Sequence, residues 1–370
     1  MSVAAFRLYF DNQPVADEQL DLFDEIRVDQ AIGMAGEAEL QMSIGVDEQG
    51  YWSGMEEQFA RPFQRIRVEV QIGEGDFVPL IDGSIVGHRY DLDASPNASS
   101  MVIVVQDDGM LLNQEEKVTL FEGMQPDEIA SQLFREYGLD VEADSVASSA
   151  GGLERYVVQR GTAMQLLKEL ARRHGMYLYI RPGDSPGRSI GVFQQPDLSS
   201  ADYPELLLLG RDRNINRFSA RFDGLRPTLA LAGNVDITNQ DLLSSEASQP
   251  ELEAQGDVAV HSMLEPATTL LSRTRELSDD LDAATTAAVD HSSWAYSANA
   301  EVSADIYAGV LSPHRVITVT GAGGYLSGNW LITQVTHVID AQSYKQEFSL
   351  RRNARSEGQS ADSNSLGSVF

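Results

Sequence analysis

Arg172, Arg173 and His174 stand together in the stretch GTAMQLLKELARRHGMYLYIRP (161–182). Two guanidiniums and an imidazole beside aromatic residues could grip phosphate, and the imidazole could shuttle a proton. Cations in the last turn of a helix also complement its dipole, which needs no ligand. The formal net charge of -29 sets 56 acidic residues against 27 basic ones, and such a chain is repelled by nucleic acid and anionic lipid. The cluster is therefore read as a structural joint that can face an acidic neighbour, and no nucleic-acid binding is predicted.

Other chemistry is scarce. The histidines are His88, His174, His261, His291, His314 and His337, and none pair at metal-ligand spacing. His337 stands with Gln334, Thr336 and Val338 in a strand, as a satisfied or interface histidine would. GAGGYLSG (321–328) lacks the Lys-Ser/Thr of a phosphate loop and has strands on both sides, so it reads as a hairpin connection. There is no G-x-S-x-G, and carboxylates are too abundant for one pair to stand out as a glycosidase site. The absence of cysteine removes thiol chemistry and fits a reducing compartment. No catalytic residue, cofactor or metal is predicted. Trp52, Trp294 and Trp330 could serve a glycan surface but are expected in packed positions.

The elements around these residues fall into blocks. No apolar run reaches about 18 residues, so no membrane span is predicted, and the first residues lack the pattern of a secretory signal. Up to about residue 112, AGEAELQMSIG, QRIRVEVQIGEGDFVPLIDGSIVGHRYDLD and SSMVIVVQDDG alternate between short turns, the signature of an antiparallel barrel or sandwich. Residues 113–210 hold two helix–Gly–strand units. One has Pro126 at its first helical position and ends at Gly138. The other opens with a Thr162/Gln165 capping box and ends at Gly175. Residues 211–353 return to β structure, interrupted at about 240–300 by a polar acidic excursion and an Ala-rich helix. Residues 354–370 read as a flexible tail, with Val369 and Phe370 as a possible small anchor.

Taken together, these stretches resemble the hub proteins of contractile tails: the phage late-control protein D group and the N-terminal hub region of VgrG-type spike proteins. The resemblance is carried by PFQRIRVEVQIGEGDFVPLIDGSIVGHRYDLD, FEGMQPDEIASQLFREYGL, VQRGTAMQLLKELARRHGMYLYIRPG and LSPHRVITVTGAGGYLSGNWLITQVTHVIDAQSYKQEFSLRRN, in that order, over roughly residues 1–355. His314 departs from it, standing after Pro313 where the family often has Gly. The resemblance implies a mainly β fold with an α+β insert, namely two tube-protein-like antiparallel β-barrel domains separated by a small α/β module. It implies a non-enzymatic baseplate hub, assembled in the bacterial cytoplasm as a homotrimer, that adapts a six-fold inner tube to a three-fold spike. Its partners would be a separate spike protein, inner-tube or tube-initiator proteins and baseplate wedge proteins. The needle is expected on another polypeptide, since no repetitive β segment follows residue 355. The alternatives are a tail-associated cell-wall hydrolase and a cargo- or glycan-binding module.

Overall fold

The computed structural model describes residues 4–357, apart from 47–49, 54, 56–57, 94, 96–97, 147–155, 200, 236–239, 264 and 272–277. The first block folds as alternation dictates. Its strands are β1 (Ala4–Phe10), β2 (Phe23–Ala31), β3 (Glu37–Val46), β4 (Arg65–Ile72), β5 (Val78–Asp91) and β6 (Ser99–Asp107). Asp11 and Asn12 turn the chain after β1 with φ of 47° and 66°, a conformation these short polar side chains tolerate. Ala38, Leu40, Met42 and Ile44 point inward from β3 beside Ile26, Val28, Val68, Ile85, Ile103 and Leu8. The sheet curls around this core until β1 approaches β2, with the Phe10 and Phe23 rings 6.4 Å apart.

The middle block consists of β7 (Glu116–Glu122), α1 (Pro126–Glu136), β8 (Asp140–Ala143), β9 (Tyr156–Thr162), α2 (Ala163–Arg173), β10 (Tyr177–Pro182) and β11 (Ser189–Gln194). The Thr162/Gln165 box forms: the Gln165 amide donates to Thr162 Oγ1 at 3.2 Å, and the Thr162 amide donates to Gln165 Oε1 at 3.1 Å. Gly138 and Gly175 take the left-handed φ of 77° and 65° that ends each helix. β11 lies between β8, its parallel partner, and β10, its antiparallel one. Both helices pack on this sheet around Phe134, Leu167 and Phe193.

The last block has β12 (Leu206–Leu207), β13 (Arg217–Phe222), β14 (Thr228–Val235), β15 (Leu242–Ala247), β16 (Ala267–Leu270), α3 (Ser278–Ser292), β17 (Tyr296–Ser303), β18 (Val316–Thr320), β19 (Gly328–Asp340) and β20 (Tyr344–Arg352). Two sequence expectations need correction here. The polar stretch after residue 240 contains β15, which pairs with β14 and lies under α3. The Ala-rich stretch is a helix only to Ser292. Tyr296, Ala298, Ala300 and Val302 then alternate inward as β17, a period that small residues obscured. The second core gathers these residues with Trp330, Ile332, Val335, Phe348 and Leu350.

The two β blocks have the same plan. In chain order β2, β3, β4, β5, β6 correspond to β13, β17, β18, β19, β20. In space the first set runs β2-β3-β6-β5-β4 and the second β13-β17-β20-β19-β18. The match extends to single residues. β5 skips Val86 against β6 where β19 skips Thr333 against β20. Ahead of the third strand of each set in chain order, Pro62-Phe63 and Pro313-His314 make the same turn, with φ of 63° at Phe63 and 66° at His314. Phe63 N–H donates to Ile85 O at 2.9 Å, as His314 N–H does to Ile332 O at 3.0 Å. A left-handed residue with a Cβ costs roughly 1–2 kcal/mol, so its recurrence at matched positions marks one backbone design used twice.

Candidate assembly surfaces

The two β units meet edge to edge. β19 outruns β18, and its residues Gln334–Asp340 pair antiparallel with Ala31–Glu25 of β2, merging both units into one sheet, 14-stranded among the described residues. His337 is fully buried at this joint, opposite Val28. Its Nδ1 lies 2.8 Å from the Tyr344 hydroxyl and its Nε2 3.4 Å from Gln30 Oε1. Gln30 spends its amide N–H on Leu80 O, so its oxygen accepts. A neutral ring that donates from Nε2 and accepts at Nδ1 satisfies both contacts. Burial pushes this imidazole down to about 3. Beside it, the Thr336 hydroxyl donates to Asp29.

The middle block is fastened by charge. The centre of the polar face of β4 is covered: Arg67 is 2% exposed and Glu69 6%. Arg65 grips Asp82 at 2.6 Å and Asp108 at 2.7 Å, and Asp108 also accepts from Ser189 of β11. Arg67 holds Glu69 and Asp82, and donates to Gly183 O at 2.8 Å in the β10–β11 turn. Gly187 N–H returns a bond to Asp82. Each buried charge is therefore paired, the condition under which such a cluster holds together.

A crevice of about 300 Å³ opens where the three blocks converge, lined by Met34, Leu80, Asp107, Tyr179, Ile180 and His314 among others. Asp107 accepts the Gly36 and Gly109 amides at 2.5 and 2.8 Å, yet burial pushes its carboxyl up to about 7. The His314 ring stacks on Tyr179 at 3.9 Å, and burial with the Arg315 charge pushes it down to about 3. Among the described residues no cluster of metal ligands occurs.

The residues singled out in the sequence are spread over different surroundings. Arg172 is exposed. Arg173 pairs with Glu169 one turn back, and His174 caps α2 through its backbone N–H to Leu170 O at 3.1 Å. Gly175 lies against Ala287 of α3, and Lys168 donates to Gly33 O beyond β2, so α2 touches both β units. Val369 and Phe370 lie outside the described residues. The 321–328 loop joins β18 to β19, and the carbonyls of Tyr325 and Ser327 converge on the Arg352 guanidinium. That polarity suits a cation and not a phosphate. Trp330 is fully buried, Trp294 is 7% exposed and Trp52 half-buried.

Sequence patterning did not point to two open edges of the large sheet. Beyond the reach of β4, residues 86–91 of β5 have no strand on one side among the described residues, and neither does β13 on the side away from β17. Both display large apolar groups: Val86 at 40% exposure, Tyr90 at 46% and Phe222 at 44%. Unpaired edges of this kind are assembly surfaces or liabilities.

No curated protein matches the sequence. Among solved structures, the 43 kDa tail protein of prophage MuSo2 from Shewanella oneidensis is similar with a TM-score of 0.67 and 14% identity, over 95% of this chain and 98% of that one. The tail protein from Neisseria meningitidis MC58 gives 0.59 and 12%, over 95% and 97%. A chain of the Francisella PdpA–VgrG complex gives 0.53 and 10%, over 95% and 58%. The mainly β architecture is thus a fold found in tail proteins. A sequence-family model described as the Alg8 N-terminal domain matches residues 4–341, all but the ends of the chain, and the chain belongs to that family.

Proposed function

We propose that this protein is a structural hub of a contractile phage tail or tail-like injection particle. Three copies would form a ring that joins a six-fold inner tube to a three-fold spike. The observation that carries this reading is the duplicated β unit set side by side in one sheet. Three chains then present six near-equivalent units to a tube, while the single middle block per chain keeps the periphery three-fold. On this reading residues 1–112 and 211–353 are tube-like domains and 113–210 a peripheral module facing neighbouring hub or wedge proteins. A separate spike and an inner-tube or tube-initiator protein are the axial partners, and assembly takes place in the bacterial cytoplasm. The charge of -29 suits a lumen that repels nucleic acid and acidic cargo.

The test is the mass of the purified protein in solution, alone and mixed with the spike and tube-initiator proteins encoded beside it. A trimer, or three copies gathered by the spike, supports the hub. A monomer that ignores both partners overturns it and returns attention to wall hydrolysis and glycan binding, which a zymogram and a glycan array would separate.

A further inference from the structure

The joint between the two units inside one chain is a template for a joint between chains. By the correspondence of bulges and partners, Gly87, His88, Arg89, Tyr90 and Asp91 of β5 stand where Gln334, Val335, Thr336, His337 and Val338 stand in β19. By the pairing of β2 with β3 and of β13 with β17, Ser219, Ala220, Arg221, Phe222 and Asp223 stand where Arg27, Val28, Asp29, Gln30 and Ala31 stand. The β19 residues and their β2 partners are paired within the chain, whereas the β5 and β13 residues are edges without a strand on that side among the described residues. We propose that residues 86–91 of one protomer pair antiparallel with residues 219–224 of a second copy, with Tyr90 opposite Ala220 and His88 opposite Phe222, repeating the internal joint.

Three observations support this occupant over another. The first is burial. Val335, His337 and Val28 are fully buried at the internal joint, while their counterparts His88, Tyr90 and Ala220 are partly or largely exposed in the single chain. A second copy in the same register covers them with Phe222 and Phe218. The second is charge. On the other face Arg89, Asp91, Arg221 and Asp223 come together, and the diagonal neighbours are Arg89 with Asp223 and Asp91 with Arg221, both of opposite sign. Arg89 also stands opposite Arg221, but Glu39 already holds Arg89 at 2.6 Å. The third is backbone shape. Phe63, the counterpart of His314, keeps the same left-handed turn and bonds Ile85 just before the free segment, so the edge is held in the form the internal joint uses. The contact joins different patches of two copies, so it propagates head to tail and closes only as a ring.

This inference rests on the ring-forming reading above, and the experiment separates the two. The chain has no cysteine, so a Tyr90→Cys, Ala220→Cys double variant can report the register directly. Directly opposed antiparallel residues have Cα atoms about 4.5–5.5 Å apart, inside the disulfide range of about 4.4–6.8 Å. The control is Tyr90→Cys with Arg221→Cys, which places the thiols on opposite faces. After mild oxidation the first variant should run on a non-reducing gel as a covalent oligomer of three 40.5 kDa chains, and the control should not. In the unsubstituted protein, the amides of 86–91 and 219–223 should exchange at least about tenfold more slowly in the assembled state than on dilution. A native trimer in which both variants cross-link equally, or neither does and the edge amides stay fast, overturns the strand joint and leaves the hub reading standing. A monomer at all concentrations, with or without the spike and tube-initiator proteins, overturns both.

Discussion

His337 makes the internal joint sensitive to acid, and the size of the effect follows from its setting. In the unfolded chain the imidazole titrates near 6.5, whereas in the folded joint burial holds it down to about 3. Below pH 6.5 the unfolded state therefore binds a proton that the folded state refuses. The stability this group contributes is complete above 6.5 and is lost progressively as the pH falls toward 3, at about 1.4 kcal/mol per unit. Between pH 7.5 and 5 the loss comes to about 2 kcal/mol. A His337→Gln variant keeps a donor and an acceptor for Gln30 and Tyr344 but does not titrate. Urea unfolding of both proteins at pH 7.5 and 5, followed by tryptophan fluorescence, should show the variant gaining about 2 kcal/mol on the wild type as the pH drops. Taking the difference cancels every other titrating group. A difference that is the same at both pH values would refute a neutral, buried ring at the joint.

Other substitutions probe the remaining features. Asp107 has the opposite sign: its folded value is raised to about 7, so its stabilising contribution is present below about 4 and lost as the pH rises through 7. Asp107→Asn should therefore gain on the wild type at pH 8 and lose most of that advantage by pH 5, read by thermal unfolding. Arg67→Met strands the buried Glu69 without its cation, leaves Asp82 with Arg65 alone, and should cost about 3–5 kcal/mol in urea unfolding. Thr162→Ala removes half of the α2 capping box and should cost about 1 kcal/mol. Phe63→Gly relieves a left-handed φ at a side chain 71% exposed and should leave the isolated chain up to about 1 kcal/mol more stable, whereas His314→Gly forfeits the Tyr179 stack and should not.

What the sequence made legible were local devices whose partners lie within a few residues. Pro126, the Thr162/Gln165 pair, Gly138 and Gly175 each act within one helical turn, and the structure has them in the expected roles. The alternation of β3 and β6 was equally plain. β17 was misread because Ala298 and Ala300 bury too little to mark a face. The polar face of β4 gave no hint of being covered, since its cover comes from residues 183–189, more than a hundred positions away. The duplication was hidden for a related reason. The two copies share a proline, a left-handed residue and a bulge, all properties of the backbone, while their side chains differ at nearly every matched position. His337 could be read as an interface histidine, but nothing near it in the chain says that Val28 is opposite.

The β2–β19 pairing also has a consequence in time. Residues 25–31 are synthesised about 300 positions before their partners at 334–340. At about 5–20 residues per second, the first unit exists for on the order of 15–60 s with that edge bare. During this interval nascent chains on one message hold the same open strand close to one another, and any completed copy carries the segment that fits it. Exchange of residues 334–340 between neighbours would then compete with closure within the chain, so the yield of correctly joined protein should fall as translation slows.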